Sequence, residues 1–308
     1  MKPVLKTSAL AILVALGASA CLSNKDNSAK DPVQITKPAG YHLGKESGLV
    51  GAKLTTFTNG DDASEEVNGA NVFNKNLNST SKVVLAGKNI DLLDHINENQ
   101  MGFQSFTVAK DKDNKNDKDV NVTVYNTPYL IGAVFDNGEK VLVKYAGVQK
   151  VKTDKVVDKI DDKEYTFDGH LLSVVTKTVD KKSVESKDTS GTFTLTVKKD
   201  ANALKLTKGE LNGVYGKVEI GERNFSENKL NDIELKEKFA SKENIKSAKL
   251  NVELLVNQNA DAKTYNYSAA GTNVVEAEKD KFIKDNITKV EEVLIGQGKE
   301  VVKAAAAK

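Results

Sequence analysis

The sequence has few of the residues that most often carry catalysis, metal binding or nucleic-acid recognition. Its 308 residues include a single cysteine, Cys21, and a single arginine, Arg223. One thiol excludes an intramolecular disulfide and a thiolate-rich metal site. Guanidinium groups are the usual readers of phosphates and base edges, so one arginine argues against nucleic-acid binding.

Net charge is also small, which removes a second reason to expect nucleic acid as a partner. The chain carries 45 basic and 43 acidic residues. Lys2 and Lys6 lie in the first 20 residues, and without them the two counts are equal. A neutral chain has no long-range field that would attract a polyanion.

No catalytic motif is present. The sequence lacks a Walker loop, HExxH, CxxC, GxSxG and a paired-glycine dinucleotide turn. The three histidines, His42, His95 and His170, are far apart in sequence, and a metal site would need at least two of them to converge with carboxylates. We therefore predict no enzyme, no metal and no cofactor. The alternative is haem, for which Tyr41 and His42 would be the axial pair.

The first 21 residues have the pattern of an export signal. Lys2 and Lys6 precede an apolar run, Ala9–Leu16, that is shorter than the ~20 residues of a membrane-spanning helix. Small residues follow, and Ala18-Ser19-Ala20-Cys21 resembles the lipobox of bacterial lipoproteins, in which the cysteine is acylated before cleavage. A soluble export signal with a chance cysteine is the alternative.

We therefore expect residues 1–20 to be removed and Cys21 to become a lipid-modified N-terminus. Two or three acyl chains, at ~0.8 kcal/mol per buried CH₂, would anchor the protein stably. Leu22 follows the cysteine in place of aspartate, which by the lipoprotein sorting rule indicates the outer membrane. Residues 21–45 are polar and aperiodic, so we predict a flexible tether.

The rest of the chain shows short runs with a two-residue period, typical of antiparallel strands. Val120, Val122 and Val124 alternate with polar residues, and Asn137-Gly138 between two apolar runs predicts a type I′ hairpin turn. The predicted strands are Lys53–Thr58, Lys82–Ala86, Phe103–Ala109, Asp119–Tyr125, Tyr165–Phe167, Leu171–Val175, Thr192–Val197, Val214–Ile220, Leu250–Val256, Tyr265–Tyr267, Val290–Ile295 and Val301–Ala304. Short helices are predicted at Ile90–Ile96, Ile233–Phe239 and Asn273–Asp285.

Several fragments in this order resemble one family, the surface lipoproteins with a transferrin-binding-protein-like β-barrel, which include factor H-binding protein. The fragments are Tyr125-Asn126-Thr127-Pro128-Tyr129 with the following Leu130-Ile131-Gly132, Tyr145-Ala146-Gly147, Gly191–Val197, Leu250–Gln258 and Glu292–Lys308. The resemblance implies an all-β protein, with an N-terminal antiparallel β handle domain at 46–138 and a C-terminal eight-stranded antiparallel β-barrel at 139–308.

Members of that family bind host proteins, among them complement factor H, transferrin, lactoferrin and haemoglobin, or haem. The resemblance therefore implies a non-enzymatic, monomeric surface lipoprotein that binds a host serum protein such as complement factor H or transferrin. An outer-membrane receptor is a further expected partner. Two alternatives stay open: a haem or haemoglobin capture lipoprotein, and a structural or adhesin-like envelope lipoprotein.

We expect the binding residues on the N-terminal handle. Its loop at 59–78 holds small polar residues that adapt easily, near the aromatic residues Phe57, Phe73 and Tyr129. Phe73 lies between turn-forming residues and is the best candidate for ligand contact, with Tyr41 and His42 as further candidates. Phe57 and Tyr129 could equally fill the core of the handle.

Overall fold

The computed structural model describes residues 55–57, 82–85, 88–92, 95–96, 100–115, 117–127, 129–147, 156–258 and 265–301. All of them belong to a single compact unit. The N-terminal strands are β1 (Thr55–Phe57), β2 (Lys82–Leu85), β3 (Lys88–Asp91), β4 (Gly102–Val108), β5 (Val120–Asn126), β6 (Leu130–Asp136) and β7 (Val141–Gly147).

The C-terminal strands are longer. They are β8 (Glu164–Val179), β9 (Lys182–Asp200), β10 (Ala203–Gly213), β11 (Gly216–Ile220), β12 (Arg223–Asn224), β13 (Lys229–Glu234), β14 (Ile245–Gln258), β15 (Tyr265–Ala277) and β16 (Ile287–Glu300). The helical segments described are one short helix, α1 (Val156–Lys159), and two 3₁₀ turns, Lys236–Lys238 and Lys242–Asn244.

The N-terminal strands form a five-stranded antiparallel sheet in the order β1-β7-β6-β5-β4, beside a separate β2-β3 hairpin. The alternation of valine with polar residues in β5 determines which face of the sheet is buried. Val120, Val122 and Val124 are buried in one core, while Asn121 between them is exposed, as the sequence predicts. Ile90 belongs to the same core and covers this face of the sheet.

The opposite face of the five-stranded sheet contributes to a second core, shared with the C-terminal strands. Leu130 and Val134 of β6 pack there with Leu172 of β8 and Ile295 of β16. Adjacent strand residues point to opposite faces, so these residues lie on the other side of the sheet from the Val120 core. The two sheets are therefore joined by an apolar interface.

The C-terminal strands form a curled eight-stranded antiparallel sheet in the order β11-β10-β9-β8-β16-β15-β14-β13, with β12 paired to β10. Alternate residues of each strand, such as Phe193, Leu195 and Val197 in β9, fill one large core on its concave side. Val156 and Ile160, in and after α1, are buried in this core. The predicted all-β fold, with an N-terminal antiparallel sheet and an eight-stranded antiparallel C-terminal barrel, is confirmed, and the barrel is a curled half-barrel sheet.

Strand β16 is buried on both of its faces. Val290 and Leu294 point into the concave core, and Val293 and Ile295 point into the interface with the five-stranded sheet. A strand that is buried on both faces has apolar residues at consecutive positions. The β16 sequence VEEVLIG has this character, and its two glutamates are the exception.

The three predicted helices are wrong or displaced. Ile90–Ile96 begins inside strand β3, and Asn273–Asp285 begins inside β15. Ile233 lies inside strand β13, and of the predicted helix Ile233–Phe239 only Lys236–Lys238 forms a 3₁₀ turn. In β15 the side chains of Asn273 and Val275 are both fully buried at two-residue spacing, so pairing with two neighbouring strands outweighs the local helix propensity.

The predicted type I′ turn at Asn137-Gly138 is also wrong, although the hairpin exists. The last pair is Asp136 with Val141, which leaves a four-residue loop. The Asn137 side-chain oxygen accepts hydrogen bonds from the backbone N–H groups of Glu139 and Lys140, at 3.0 and 2.8 Å. Asn137 therefore stabilises the loop through side-chain hydrogen bonds to the backbone, and not through a positive φ.

The predicted domain boundary at 138/139 lies inside this hairpin. Strand β7 pairs with β6 and β1 in the five-stranded sheet, and the first strand of the C-terminal sheet is β8. The change from one sheet to the other therefore occurs after Gly147 and before Glu164. Whether the two parts fold as separate domains stays a prediction.

Candidate functional site

The residues predicted from sequence to carry function lie mostly outside the described part of the chain. This applies to Cys21, Tyr41, His42 and Phe73. Tyr129 is buried in the core of the five-stranded sheet, in agreement with the interpretation that this residue fills the core of the handle.

The described residues contain neither a metal-binding cluster nor a membrane-spanning helix. No group of three or more His, Cys, Asp or Glu in the described ranges is placed to hold a metal ion. Within the same ranges, no helix has the length and apolar character needed to cross a membrane. Two clusters of side chains nevertheless stand out, one at the surface and one buried.

The surface cluster, named here the junction patch, consists of Phe103, Tyr125 and His170. The ring centroids are 4.8 Å apart for Phe103 and Tyr125, 4.8 Å for Phe103 and His170, and 4.6 Å for Tyr125 and His170. All three rings therefore touch each other in tilted or edge-on geometries, which aromatic pairs prefer.

Strand pairing explains how the junction patch forms. Phe103 of β4 lies directly opposite Tyr125 of β5. His170 comes from β8, on the other sheet, so the patch spans the place where the two sheets meet. Phe103 is 40% exposed, which makes it one of four large hydrophobic residues exposed within the described ranges.

Burial keeps the junction patch uncharged at neutral pH. It lowers the pKa of His170 and raises the pKa of Tyr125, so both favour their neutral forms. The His170 Nδ1 atom is buried and, among the described residues, has no hydrogen-bond partner. At the rim, Lys187 Nζ donates a hydrogen bond to Thr123 Oγ1 at 3.3 Å. The patch is an aromatic surface beside polar groups, without an acid–base pair.

The buried cluster surrounds the carboxyl group of Glu292, whose exposed fraction is 0%. Ser173 Oγ donates to its Oε1 at 3.1 Å. Tyr215 OH and Asn273 Nδ2 donate to its Oε2 at 2.7 and 2.8 Å. Asn273 Nδ2 also lies 3.0 Å from Tyr215 OH. We name these four residues the Glu292 cluster.

Three strands and one turn bring the Glu292 cluster together. Glu292 lies opposite Ser173 of β8 and Asn273 of β15 in the strand register. Tyr215 lies in the turn between β10 and β11. A side chain at Gly213 would meet the Tyr215 ring at 2.8 Å and the Glu292 Oε1 atom at 3.0 Å, so glycine leaves the room through which this tyrosine reaches the carboxyl.

The charge of Glu292 is not balanced by a cation. Within the described residues, no Lys or Arg nitrogen lies within 4.0 Å of it. Desolvation raises its pKa to about 7, against the opposing effect of the hydrogen bonds from Asn273, Tyr215 and Ser173. Burial, together with the charge of Glu292, raises the pKa of Tyr215 well above its usual range. Glu292 is thus a buried carboxyl that titrates near neutral pH.

The sequence contained signals for both clusters that the predictions did not use. Phe103 and Phe106 lie three residues apart in β4 and so must point to opposite faces, which places one of them outside the core of its own sheet. Glu292 alternates with Val290 and Leu294, both inward-facing, which predicts a carboxyl that faces the core. The spatial partners, by contrast, depend on long-range pairing.

No protein-family model matches the chain, and no curated protein matches it. Among solved structures, the chain is similar to the isotype 1 transferrin binding protein B from serogroup B Neisseria meningitidis. The TM-score is 0.37 with 11% sequence identity, over 82% of this chain and 44% of that one. The chain thus spans less than half the length of that protein.

Proposed function

We propose that this protein is a non-enzymatic binding protein and that the junction patch is where it contacts a protein ligand. The observation that carries this proposal is the exposed ring of Phe103, which packs on Tyr125 and His170 at the meeting point of the two sheets. An aromatic group held rigidly by its neighbours and open to solvent is the usual centre of a protein-binding surface.

The surroundings of the patch fit this role. Ser105 and Thr107 follow Phe103 on the same exposed face of β4. Thr123 and Lys187 add a polar rim. Small polar side chains beside an aromatic centre can form hydrogen bonds to a partner at low entropic cost. A ligand that covers Phe103 would therefore meet an apolar centre and a polar edge.

The finer proposal is an exported lipoprotein that binds a host serum protein at the cell surface. It is supported by the export and lipobox pattern before Cys21 and by the family resemblance of the strand fragments. In this proposal the flexible tether predicted at 21–45 is long enough to let the junction patch face away from the membrane. Phe73, outside the described residues, stays a candidate for the same binding surface.

Replacing Phe103 by alanine should weaken binding to the serum ligand about 30-fold or more, because truncating the central residue of an interface typically costs ~2 kcal/mol or more. The measurement is a pull-down from host serum with the soluble protein that begins after Cys21, followed by titration of the captured protein. Phe282→Ala is the matched control, because Phe282 is 39% exposed but lies before β16, away from the patch.

The comparison is decisive only if both variants stay folded. Each should keep a thermal unfolding midpoint close to that of the wild-type protein, because each ring is more than a third exposed. Equal binding by the Phe103 and Phe282 variants would remove the junction patch from the ligand interface. Capture of no serum protein by the wild type would leave the adhesin-like alternative as the better proposal.

The lipid anchor has its own test. Cys21→Ala should move the protein from the membrane pellet to the soluble fraction of lysed cells, because no other anchor is predicted in the sequence. The fold should be unaffected, because the described core begins well after this residue, and circular dichroism of both forms checks this. A Cys21→Ala protein that still pellets with membranes would contradict the anchor.

Haem capture stays an alternative proposal through Tyr41 and His42. The purified protein, mixed with haem, would show a Soret band with a defined shift if these residues ligate the iron. Loss of that band in a His42→Ala variant would favour haem capture over a protein ligand.

A further inference from the structure

We propose that Glu292 acts as a proton-operated latch: its neutral carboxyl keeps the turn between β10 and β11 docked on the concave core, and its ionisation favours an open turn in which water reaches the carboxylate. This device shares no residue with the junction patch and does not depend on what the protein binds.

The geometry supports the latch because Tyr215 connects the turn to the core. Its hydroxyl contacts Glu292 and Asn273 at 2.7 and 3.0 Å, and its ring packs against Phe239 with centroids 5.3 Å apart. The turn itself is closed only by the short pairing of β10 with β11, at one end of the strand order. Strand β11 lies at an edge of the sheet and pairs with β10 alone, so opening of the turn breaks the pairing with one strand only.

Few charged groups bear on Glu292. Ser173 and Asn273, on the two flanking strands, do not titrate. Tyr215, on the turn, stays neutral near pH 7 because its pKa is raised. Among the described residues, Asp188 on β9 is the further acidic group whose negative charge raises the Glu292 pKa. Around neutral pH, therefore, Glu292 is the member of the cluster that changes charge.

The direction of the switch follows from linkage. In the docked state the pKa of Glu292 is about 7, whereas a solvated glutamate has a value near 4.5. The docked state therefore binds the proton more tightly, and raising the pH favours the open state until both states are ionised. With these two pKa values, the equilibrium constant for opening increases about 30-fold between pH 5.5 and pH 8.5.

Hydrogen exchange of the full chain measures this opening. The protection factors of the amides at 212–217, corrected for the intrinsic effect of pH on exchange, should fall about 30-fold between pH 5.5 and 8.5 in the wild-type protein. In Glu292→Gln they should be the same at both pH values, since the amide cannot ionise. Protection that is independent of pH in the wild type, or equally dependent on pH in Glu292→Gln, would overturn the proposal.

Two further variants separate the latch from a general structural effect. Glu210→Gln removes an ion pair with Lys217 at 2.8 Å on the same hairpin, so it should lower protection at every pH and keep the pH dependence. Tyr215→Phe removes a hydrogen bond that lowers the Glu292 pKa, so the midpoint of the transition should move to higher pH. If Glu292→Gln fails to fold, an unchanged midpoint in Tyr215→Phe would still overturn the latch.

Discussion

Replacing Leu195 by alanine should lower the free energy of unfolding by about 2 to 5 kcal/mol. Leu195 is fully buried in the concave core of the eight-stranded sheet, between Phe193 and Val197 on the same face of β9. Both flanking strands are hydrogen-bonded to β9, so the surrounding backbone can collapse only partly into the space that the missing methyl groups leave. Urea denaturation followed by circular dichroism measures the change.

Thr194→Ala is the matched control on the adjacent position. Thr194 is exposed on the convex face, where its hydroxyl donates a hydrogen bond to Asp168 at 2.8 Å. Loss of one exposed hydrogen bond should cost less than about 1 kcal/mol. A cost for Thr194→Ala as large as that for Leu195→Ala would show that β9 presents its other face to the core.

The second large effect is a fall in global stability as the pH rises from about 4.5 to about 7. The folded protein holds the Glu292 proton up to about pH 7, whereas the unfolded chain releases it near 4.5. The contribution of Glu292 to the free energy of unfolding is therefore fully present below its pKa in the unfolded chain. It falls between the two pKa values and is constant above the pKa in the folded protein. One pKa unit corresponds to about 1.4 kcal/mol, so the loss approaches about 3 kcal/mol.

Thermal or urea unfolding at a series of pH values measures this loss. The difference between wild type and Glu292→Gln isolates the contribution of Glu292 from that of other carboxyl groups, including Asp161 and Glu222, whose lowered pKa values act at more acidic pH. Glu291→Gln is the control, because Glu291 lies next to Glu292 but pairs with Lys289 on the opposite face at 2.7 Å. Identical pH profiles for wild type and Glu292→Gln would contradict the assignment.

Strands were predictable from the sequence because their evidence is local. The alternation of Val120, Val122 and Val124 needs only one buried and one exposed face, and the same holds for Phe193, Leu195 and Val197. Lengths were not predictable: Tyr165–Phe167 and Leu171–Val175 are parts of the single strand β8. The polar residues between them pair with two neighbouring strands, which only the fold reveals.

Turns show the same limit. Positive φ at two successive residues, the mark of a type I′ turn, occurs at Asp180-Lys181 and at Asp285-Asn286, and not at Asn137-Gly138. Lysine at such a position carries a steric cost that the long β8-β9 pairing outweighs. Sequence preference therefore identified a hairpin correctly but could not determine the type of its turn.

The candidate sites were the least predictable part. The junction patch joins β4, β5 and β8, and the Glu292 cluster joins β8, β15, β16 and a turn that lies 77 residues before Glu292. Each member alone is an ordinary aromatic, serine, asparagine or glutamate. Their roles depend on strand register, which no local pattern of the sequence determines.

The two-sided burial of β16 has a consequence for folding cooperativity. Because Val290 and Leu294 belong to one core while Val293 and Ile295 belong to another, a movement that loosens either core displaces the backbone that supports the other. Foldons, the units that open and close together, are normally separated by segments with few shared contacts. Here β16 is the shared segment, so the two cores should open and close together and not as separate foldons.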